Sequence, residues 1–299
     1  MDQKLVLIDG FAILHRAFHA MPPLTNKKGE PTNAIYGFVS MFLRIIQDLN
    51  PTHIVVCMDE KEPTFRHKAF KTYQAQRPKM DLDLASQIEK TKEVIKALDI
   101  PMLSKKGFEA DDVIGTLAEK FKKKIDVVIV TGDRDILQLV DEKVKVFMPI
   151  AGLSNGKLFG KDETVERLGV IPELIPDYKA LVGDPSDNYF GVTGIGPVTA
   201  IKLLDEYKSV DNIYKNIKKV QPRVAEKLIK DKKSALMSHK LATIVKNVPV
   251  TLNLEDASKW DLDSNKVIKL FEELSFKTLT ERIKRIGKEK DQEKQMTLL

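Results

Sequence analysis

Nine carboxylates stand where they could work on a phosphate ester. Asp9 ends the apolar run KLVLID, Asp59 ends HIVVCMD, and Asp133 and Asp135 follow DVVIVTG. Glu109, Asp111 and Asp112 cluster in GFEADDVIG, and Asp184 and Asp187 in LVGDPSDN. An acid that closes a buried strand is costly without a partner. Gathered in one place, such acids repel one another, so either several stay protonated or divalent cations neutralise them. Mg²⁺ takes oxygen ligands and keeps several waters, which suits carboxylates at strand ends; Mn²⁺ can substitute. Two such ions, roughly 3.5–4 Å apart, clamp the attacking and leaving oxygens of a phosphodiester, so no Ser or Cys nucleophile is needed. Taken singly, some of these acids have plainer readings. Asp111 and Asp112 also suit a helix N-terminus, and Asp184 and Asp187 suit a turn.

The elements that must position them are strands alternating with helices. Residues 4–9, 53–59, 126–133 and 143–149 read as strands, and 33–49, 82–99 and 110–123 as helices. Leu84, Ile88, Ile95 and Leu98 fall on one helical face. This order predicts an α/β fold with a doubly wound, mostly parallel sheet. Right-handed crossovers then set the strand C-termini along one edge, where ligands bind. From about residue 160 strand-like runs give way to helices at 161–168, 172–182, 197–206, 222–232 and 234–246. The expected organisation is a catalytic α/β domain over 1–180, a helical DNA-binding region over 181–286, and a flexible polar tail over 287–299. No stretch of 18 apolar residues predicts a membrane span. The short N-terminal apolar run, interrupted by an acid, is no signal peptide. The single Cys57 lies in a buried run and forms no internal disulfide, so a cytoplasmic location is expected.

The net charge is +6 and the pI about 9.0, which favours a polyanionic partner. Residues 61–80 carry six Lys/Arg against the single acid Glu62, and residues 197–247 carry twelve against five acids. In the first segment Arg66, Lys68, Lys71 and Arg77 are interleaved with Phe65, Phe70 and Tyr73. Cations hold phosphates and aromatic faces stack unpaired bases. A solvated basic helix is the plainer alternative. In the second, GVTGIGPVTAIKLL places Gly194 and Gly196 before a helix. No strand precedes them, so a dinucleotide loop does not fit, whereas a helix–hairpin–helix does. Its helix-start N–H groups face a phosphate, with Thr199 and Lys202 extending the contact; an ordinary tight turn is the alternative. Arg16, beside His15 and His19, suits a bidentate phosphate contact. HRAFH lacks the Glu of the zinc motif HExxH, so zinc is not expected there.

Five blocks now stand in order: LIDGFAILHRAFHA, CMDEKEPTFRHKAF, GFEADDVIGTLA, VTGDRDILQLV and LVGDPSDNYFGVTGIGPVTA. In sequence and spacing they resemble the 5′-nuclease domain of bacterial DNA polymerase I and the flap endonucleases, across residues 4–250 or so. The resemblance implies a PIN-like domain with a helical arch near 61–90 and a helix–hairpin–helix. It implies a monomeric, structure-specific 5′ nuclease that cuts DNA at 5′ flaps, pseudo-Y junctions, nicks and gaps by two-metal hydrolysis. It assigns Asp9, Asp59, Glu109, Asp111 and Asp112 to a first metal group and Asp133, Asp135, Asp184 and Asp187 to a second. Tyr73 and Arg77 become arch residues at the scissile phosphate, and the hairpin becomes a place for K⁺. Two departures stand out. Gln74 follows Tyr73 where relatives place a Lys, and SDNYFGV replaces SDNIPGV, so that Phe190 is expected to loosen or reshape the loop before the hairpin. The C-terminal Gln295, Met296, Leu298 and Leu299 resemble the short peptides that bind the bacterial sliding clamp, which fits a stand-alone nuclease recruited to it. Two other readings remain: a PIN-type ribonuclease acting on RNA 5′ ends, and a catalytically weak structured-DNA-binding protein.

Overall fold

A computed structural model describes residues 3–151 and 155–297. Its centre is a six-stranded sheet in the order β3-β2-β1-β4-β5-β6. The strands are β1 (Lys4–Asp9), β2 (His53–Cys57), β3 (Met102–Leu103), β4 (Asp126–Val130), β5 (Val144–Ala151) and β6 (Asn155–Phe159). The first five run parallel, and β6 returns antiparallel to β5. A parallel sheet is buried on both faces, so its strands read as unbroken apolar runs. Leu5, Leu7, Val127 and Ile129 pack into one core, while their neighbours Val6, Ile8, Val128 and Val130 pack into the other.

The helices of the first half are α1 (Gly10–Ala20), α2 (Asn33–Leu49), α3 (Phe65–Ala69), α4 (Leu82–Ala97) and α5 (Ala110–Phe121). α1, α2 and α4 cover the second face, and α5 the first. The first core continues without a break into the helical half. There lie α6 (Lys161–Leu168), α7 (Ile175–Val182), α8 (Pro197–Tyr207), α9 (Val210–Lys215), α10 (Pro222–Lys230) and α11 (Lys232–Ala242). Between α7 and α8 a two-stranded ribbon forms from β7 (Gly183–Asp184) and β8 (Tyr189–Phe190).

The last helices are α12 (Asn265–Glu273) and α13 (Lys277–Thr297). They pack in a different core from that of α7 to α11. From Trp260 the chain returns to the helical layer over the second sheet face, where Val267, Phe271, Leu279 and Ile283 are fully buried with Phe38 and Phe42 of α2. The Phe276 ring packs edge-on against Tyr36 at 5.3 Å. The apolar residues of these helices recur at helical spacing and need a partner face, and the open side of α2 and α4 supplies it. Over 287–297, expected as a flexible tail, α13 continues to Thr297 through a run of Lys, Glu and Gln with strong helix propensity. Gln295 and Met296 lie on that helix, whereas Leu298 and Leu299 fall outside the described residues. Among the described residues no helix is long and apolar enough to cross a membrane.

Candidate active site

The sheet register brings the first acids together. Asp9 pairs with Cys57 across β1 and β2, and Ile8 with Val130 across β1 and β4. Asp59 and Asp133 follow two and three residues beyond those partners, so all three acids cap adjacent strands at the same edge. Asp9 is 5 % exposed; it accepts from the Ala12 amide at 3.0 Å and the Thr131 hydroxyl at 2.8 Å. Burial first, then the charge of Asp59, push its pKa up to about 7. Asp59 lies at the solvent rim and accepts from the Ala110 amide at 2.9 Å, at the N-terminus of α5. In the first turn of α5, burial and the charges of Asp133, Asp9, Asp59 and Glu109 raise Asp111 far above the carboxylate range. Burial raises Glu109 to about 7, against the pull of Arg66.

A second set gathers beside the first. Carboxylate oxygens of Asp135, Asp184 and Asp187 lie within 4.8 Å of one another. Asp135 opens a 3-10 turn (Asp135–Leu139) and is raised to about 7 by burial and by the charge of Asp133. Asp184 and Asp187 reach the group because the β7–β8 ribbon folds tightly after α7. Gly183 makes that fold possible at φ +78°, where a Cβ would stand 2.6 Å from the Gly191 nitrogen. Asp184 accepts from the Ser186 amide at 2.8 Å.

Lys179, a residue that sequence reasoning passed over, projects from α7 into this group. Its ammonium bridges Asp135 at 2.7 Å and Asp184. Burial alone would lower its pKa, but the two carboxylates more than offset that and keep it charged. No sequence signal sets it apart from other helical lysines; its spacing of four and five residues from Gly183 and Asp184 is the only hint.

Asp112 does not join the others. It is fully buried, and both its oxygens are taken by Arg66 at 2.7 and 2.9 Å, with the Val245 and Glu109 amides also donating to it. Adjacent residues on a helix point about 100° apart, so Asp111 meets the acids while Asp112 enters the interior. Arg66, expected on DNA, is 2 % exposed; it also donates to the carbonyls of Leu241 at 2.8 Å and Thr243 at 3.0 Å. It fastens α3 to α5 and to the end of α11.

The segment expected to arch over the site does lie against it. After α3 it runs through turns in which three residues converge on Asp187. The Tyr73 hydroxyl donates at 2.9 Å, the Gln74 side-chain amide at 3.2 Å and Arg77 at 2.6 Å. Gln74, held at φ +55°, also donates its backbone N–H to the Asp187 carbonyl at 2.9 Å. Tyr73 is 4 % exposed, packed near-parallel on Tyr189, so its face is not open to a base. Phe65 leans on Phe108, and Phe70 is half-buried. The three aromatics are therefore packing groups rather than a stacking platform. Arg77, Lys68 and Lys71 remain exposed. Half-buried Arg16 keeps an Nε donor that no described residue accepts.

At the hairpin, Gly194 adopts φ +76° and Gly196 precedes α8, with Pro197 at its first position. Gly194 and Gly196 are exposed, as is Lys202, and Thr199 is half-buried. The Gly194 carbonyl accepts from the Lys227 ammonium at 2.9 Å. The Phe190 side chain is 69 % exposed, and its backbone carbonyl accepts from the Ser234 and Ser238 hydroxyls at 2.6 and 2.7 Å.

Parallel-sheet acids, a basic segment folded over them and a helical hairpin alongside define a nuclease of the phosphodiester-cleaving α/β class. The family models agree. Residues 4–169 match "5'-3' exonuclease, N-terminal resolvase-like domain", and residues 170–265 match "5'-3' exonuclease, C-terminal SAM fold". A 5′–3′ exonuclease of Aquifex aeolicus is 41 % identical over 294 residues, covering 97 % of this chain and 98 % of that protein. DNA polymerase I of Caldicellulosiruptor bescii is 41 % identical over 287 residues, 95 % of this chain but 33 % of the relative. The chain thus spans about a third of the length of the DNA polymerase I relatives it matches. Its fold is similar to that of a bacteriophage T5 flap endonuclease solved with DNA and metal ions, at TM-score 0.67 and 18 % identity, covering 95 % of this chain and 98 % of that one. The chain belongs to the 5′–3′ exonuclease family.

Proposed function

We propose that this chain hydrolyses DNA phosphodiesters near 5′ ends, at flaps, pseudo-Y junctions, nicks and gaps, in replication and repair. The observation that carries the reading is the meeting of eight carboxylates at one sheet edge. Asp9, Asp59, Glu109, Asp111, Asp133, Asp135, Asp184 and Asp187 act on one another through their charges, with Lys179 and Arg77 as partial counter-charges, and Asp135, Asp184 and Asp187 stand within 4.8 Å of one another. Burial that raises Asp9, Glu109 and Asp135 to about 7 is the mark of a donor set short of positive charge. All donors are oxygens, which fits Mg²⁺ or Mn²⁺.

Asp9, Asp59, Glu109 and Asp111 would hold one ion, and Asp135, Asp184 and Asp187 another, with Asp133 beside both sets. When bound, the pair supplies Lewis acidity and a water of lowered pKa. The chain's own part is positioning. Tyr73 and Gln74 fix the Asp187 carboxylate, and Arg77, half-exposed at 52 %, presents its outer face to the backbone of the strand being cut. The N–H groups at the start of α8, with Thr199 and Lys202, hold a duplex phosphate away from the cut. The Gly194 carbonyl, which accepts from Lys227, keeps a second lone pair with which the hairpin would hold K⁺.

The test is a product map on one labelled 5′-flap DNA and its RNA counterpart, with and without Mg²⁺. Wild-type protein is expected to cut the DNA flap only with the ion. Asp133→Asn is expected to bind the flap and leave it whole. No cleavage by wild type in Mg²⁺ or Mn²⁺ refutes the reading, and preference for the RNA flap replaces it with a ribonuclease.

A further inference from the structure

Tyr189 stands on the β7–β8 ribbon opposite Asp184, beside the second acidic group, and its hydroxyl has no role in the reading above. The residue is 2 % exposed, and its oxygen, fully buried, has no hydrogen-bond partner among the described residues. A buried hydroxyl left unpaired costs about 1–3 kcal/mol, so such a group is rarely kept without a use. Its surroundings show what the use is. Tyr189 is the direct cross-strand partner of Asp184 on the β7–β8 ribbon, and opposed residues in an antiparallel pair share a face. Its ring stacks on Tyr73 at 6.5 Å and 17°, and the Tyr73 hydroxyl already donates to Asp187. Asp135, Asp184, Asp187 and Asp133 are the charges that act on the Tyr189 phenol. Every nearby carboxylate of the trio has donors of its own: Lys179 for Asp135 and Asp184, and Tyr73, Gln74 and Arg77 for Asp187.

We propose that the Tyr189 hydroxyl is a positioning group that hydrogen-bonds to a water carried by the divalent cation held among Asp135, Asp184 and Asp187. This rests on the metal-dependent reading above and deepens it. Mg²⁺ keeps several of its waters, and those waters need partners beyond the carboxylates. A phenol donates and accepts, and here it is held rigid by the Tyr73 ring and by the ribbon. Asp–metal sites are tuned by such outer partners, whose loss typically costs about 10–100-fold in metal affinity.

The experiment compares wild type with Tyr189→Phe, in the full chain without DNA, by Mn²⁺ titration followed by electron paramagnetic resonance and by thermal melting. Wild type is expected to bind two ions. Tyr189→Phe should weaken one of them by about tenfold and leave the other within twofold. In chelator, Tyr189→Phe should melt at or above the wild-type temperature, because it deletes an unpaired buried hydroxyl. A residue serving only structure would lower that temperature and leave both affinities alone. Equal Mn²⁺ affinities in the two proteins, or a lowered melting temperature in chelator, overturns the proposal. If wild type binds no ion at the trio, the metal-dependent reading itself fails and takes this inference with it.

Discussion

Replacing Arg66 by Met tests whether this cation belongs to the fold or to the DNA. Its guanidinium makes two hydrogen bonds to Asp112, one each to the carbonyls of Leu241 and Thr243, and lies 3.3 Å from Glu109. Arg66→Met leaves the Asp112 carboxylate, at 0 % exposure, supported only by the Val245 and Glu109 amides and the α5 dipole. Breaking one side of a buried ion pair costs about 3–5 kcal/mol. Two carbonyls also lose their donor, so a loss near the top of that range, about 4–5 kcal/mol, is expected in urea unfolding followed by circular dichroism. The sign of the second substitution is the sharper check. Arg66→Met/Asp112→Asn removes the stranded charge and should recover roughly half of the loss, since an amide costs about 1–3 kcal/mol to bury unpaired. DNA binding gives an independent arm. A phosphate contact would reduce the slope of log K against log salt by about one; Arg66→Met should leave it unchanged. A stability loss under about 1 kcal/mol, a double variant less stable than the single one, or a reduced salt slope would refute the reasoning.

Three further outcomes follow from the same geometry. Asp9, Glu109 and Asp135 are raised to about 7 in the folded state from 3.8, 4.5 and 3.8. A carboxyl raised on folding contributes stability that is full below its unfolded pKa and lost as pH climbs through the folded one. In chelator the melting temperature should therefore fall between about pH 4 and 8, with Mg²⁺ restoring it at pH 8 far more than at pH 4.5; a flat or rising profile contradicts the clustering. Lys179→Met removes a cation that bridges Asp135 and Asp184, so the trio should bind Mn²⁺ at least about threefold more tightly, a gain of roughly 0.6 kcal/mol, while the chelated protein becomes less stable; unchanged or weaker binding argues against competition. With Arg16, Lys68, Lys71, Arg77 and Lys202 as the phosphate contacts, flap binding should show a log–log salt slope near −4.5, about −0.9 per contact; a flat dependence would remove the basic surface from the interface.

Much of the site could be read from the chain because its rule is simple: an apolar run that ends in an acid is a parallel strand aimed at a polar edge. Asp9, Asp59 and Asp133 follow that rule, and the register of β2, β1 and β4 places them side by side. What escaped was set by tertiary direction, which has no local signal. Asp111 and Asp112 are neighbours of one type, yet a turn of about 100° sends one to the acids and the other to Arg66. Tyr73 looks like an exposed aromatic in a basic segment, but Tyr189, Leu241 and Ala242 close over it. β6 was missed because NGKLF carries few β-branched residues and stands beside turn formers. The packing of α12 and α13 on α2 and α4 is hidden for the opposite reason: an apolar stripe says that a helix packs, not on what.

That return has a consequence for how the protein is made. Phe38 and Phe42 emerge from the ribosome early, but Phe271, Leu279 and Ile283, which cover them, are synthesised more than 200 residues later. At about 5–20 residues per second the gap lasts roughly ten to fifty seconds. For that time the outer side of α2 and α4 stays bare, a surface for chaperones and an entry point for misassembly. A chain cut short before Trp260 would carry the acids on a sheet whose covering helices α2 and α4 lack their own cover.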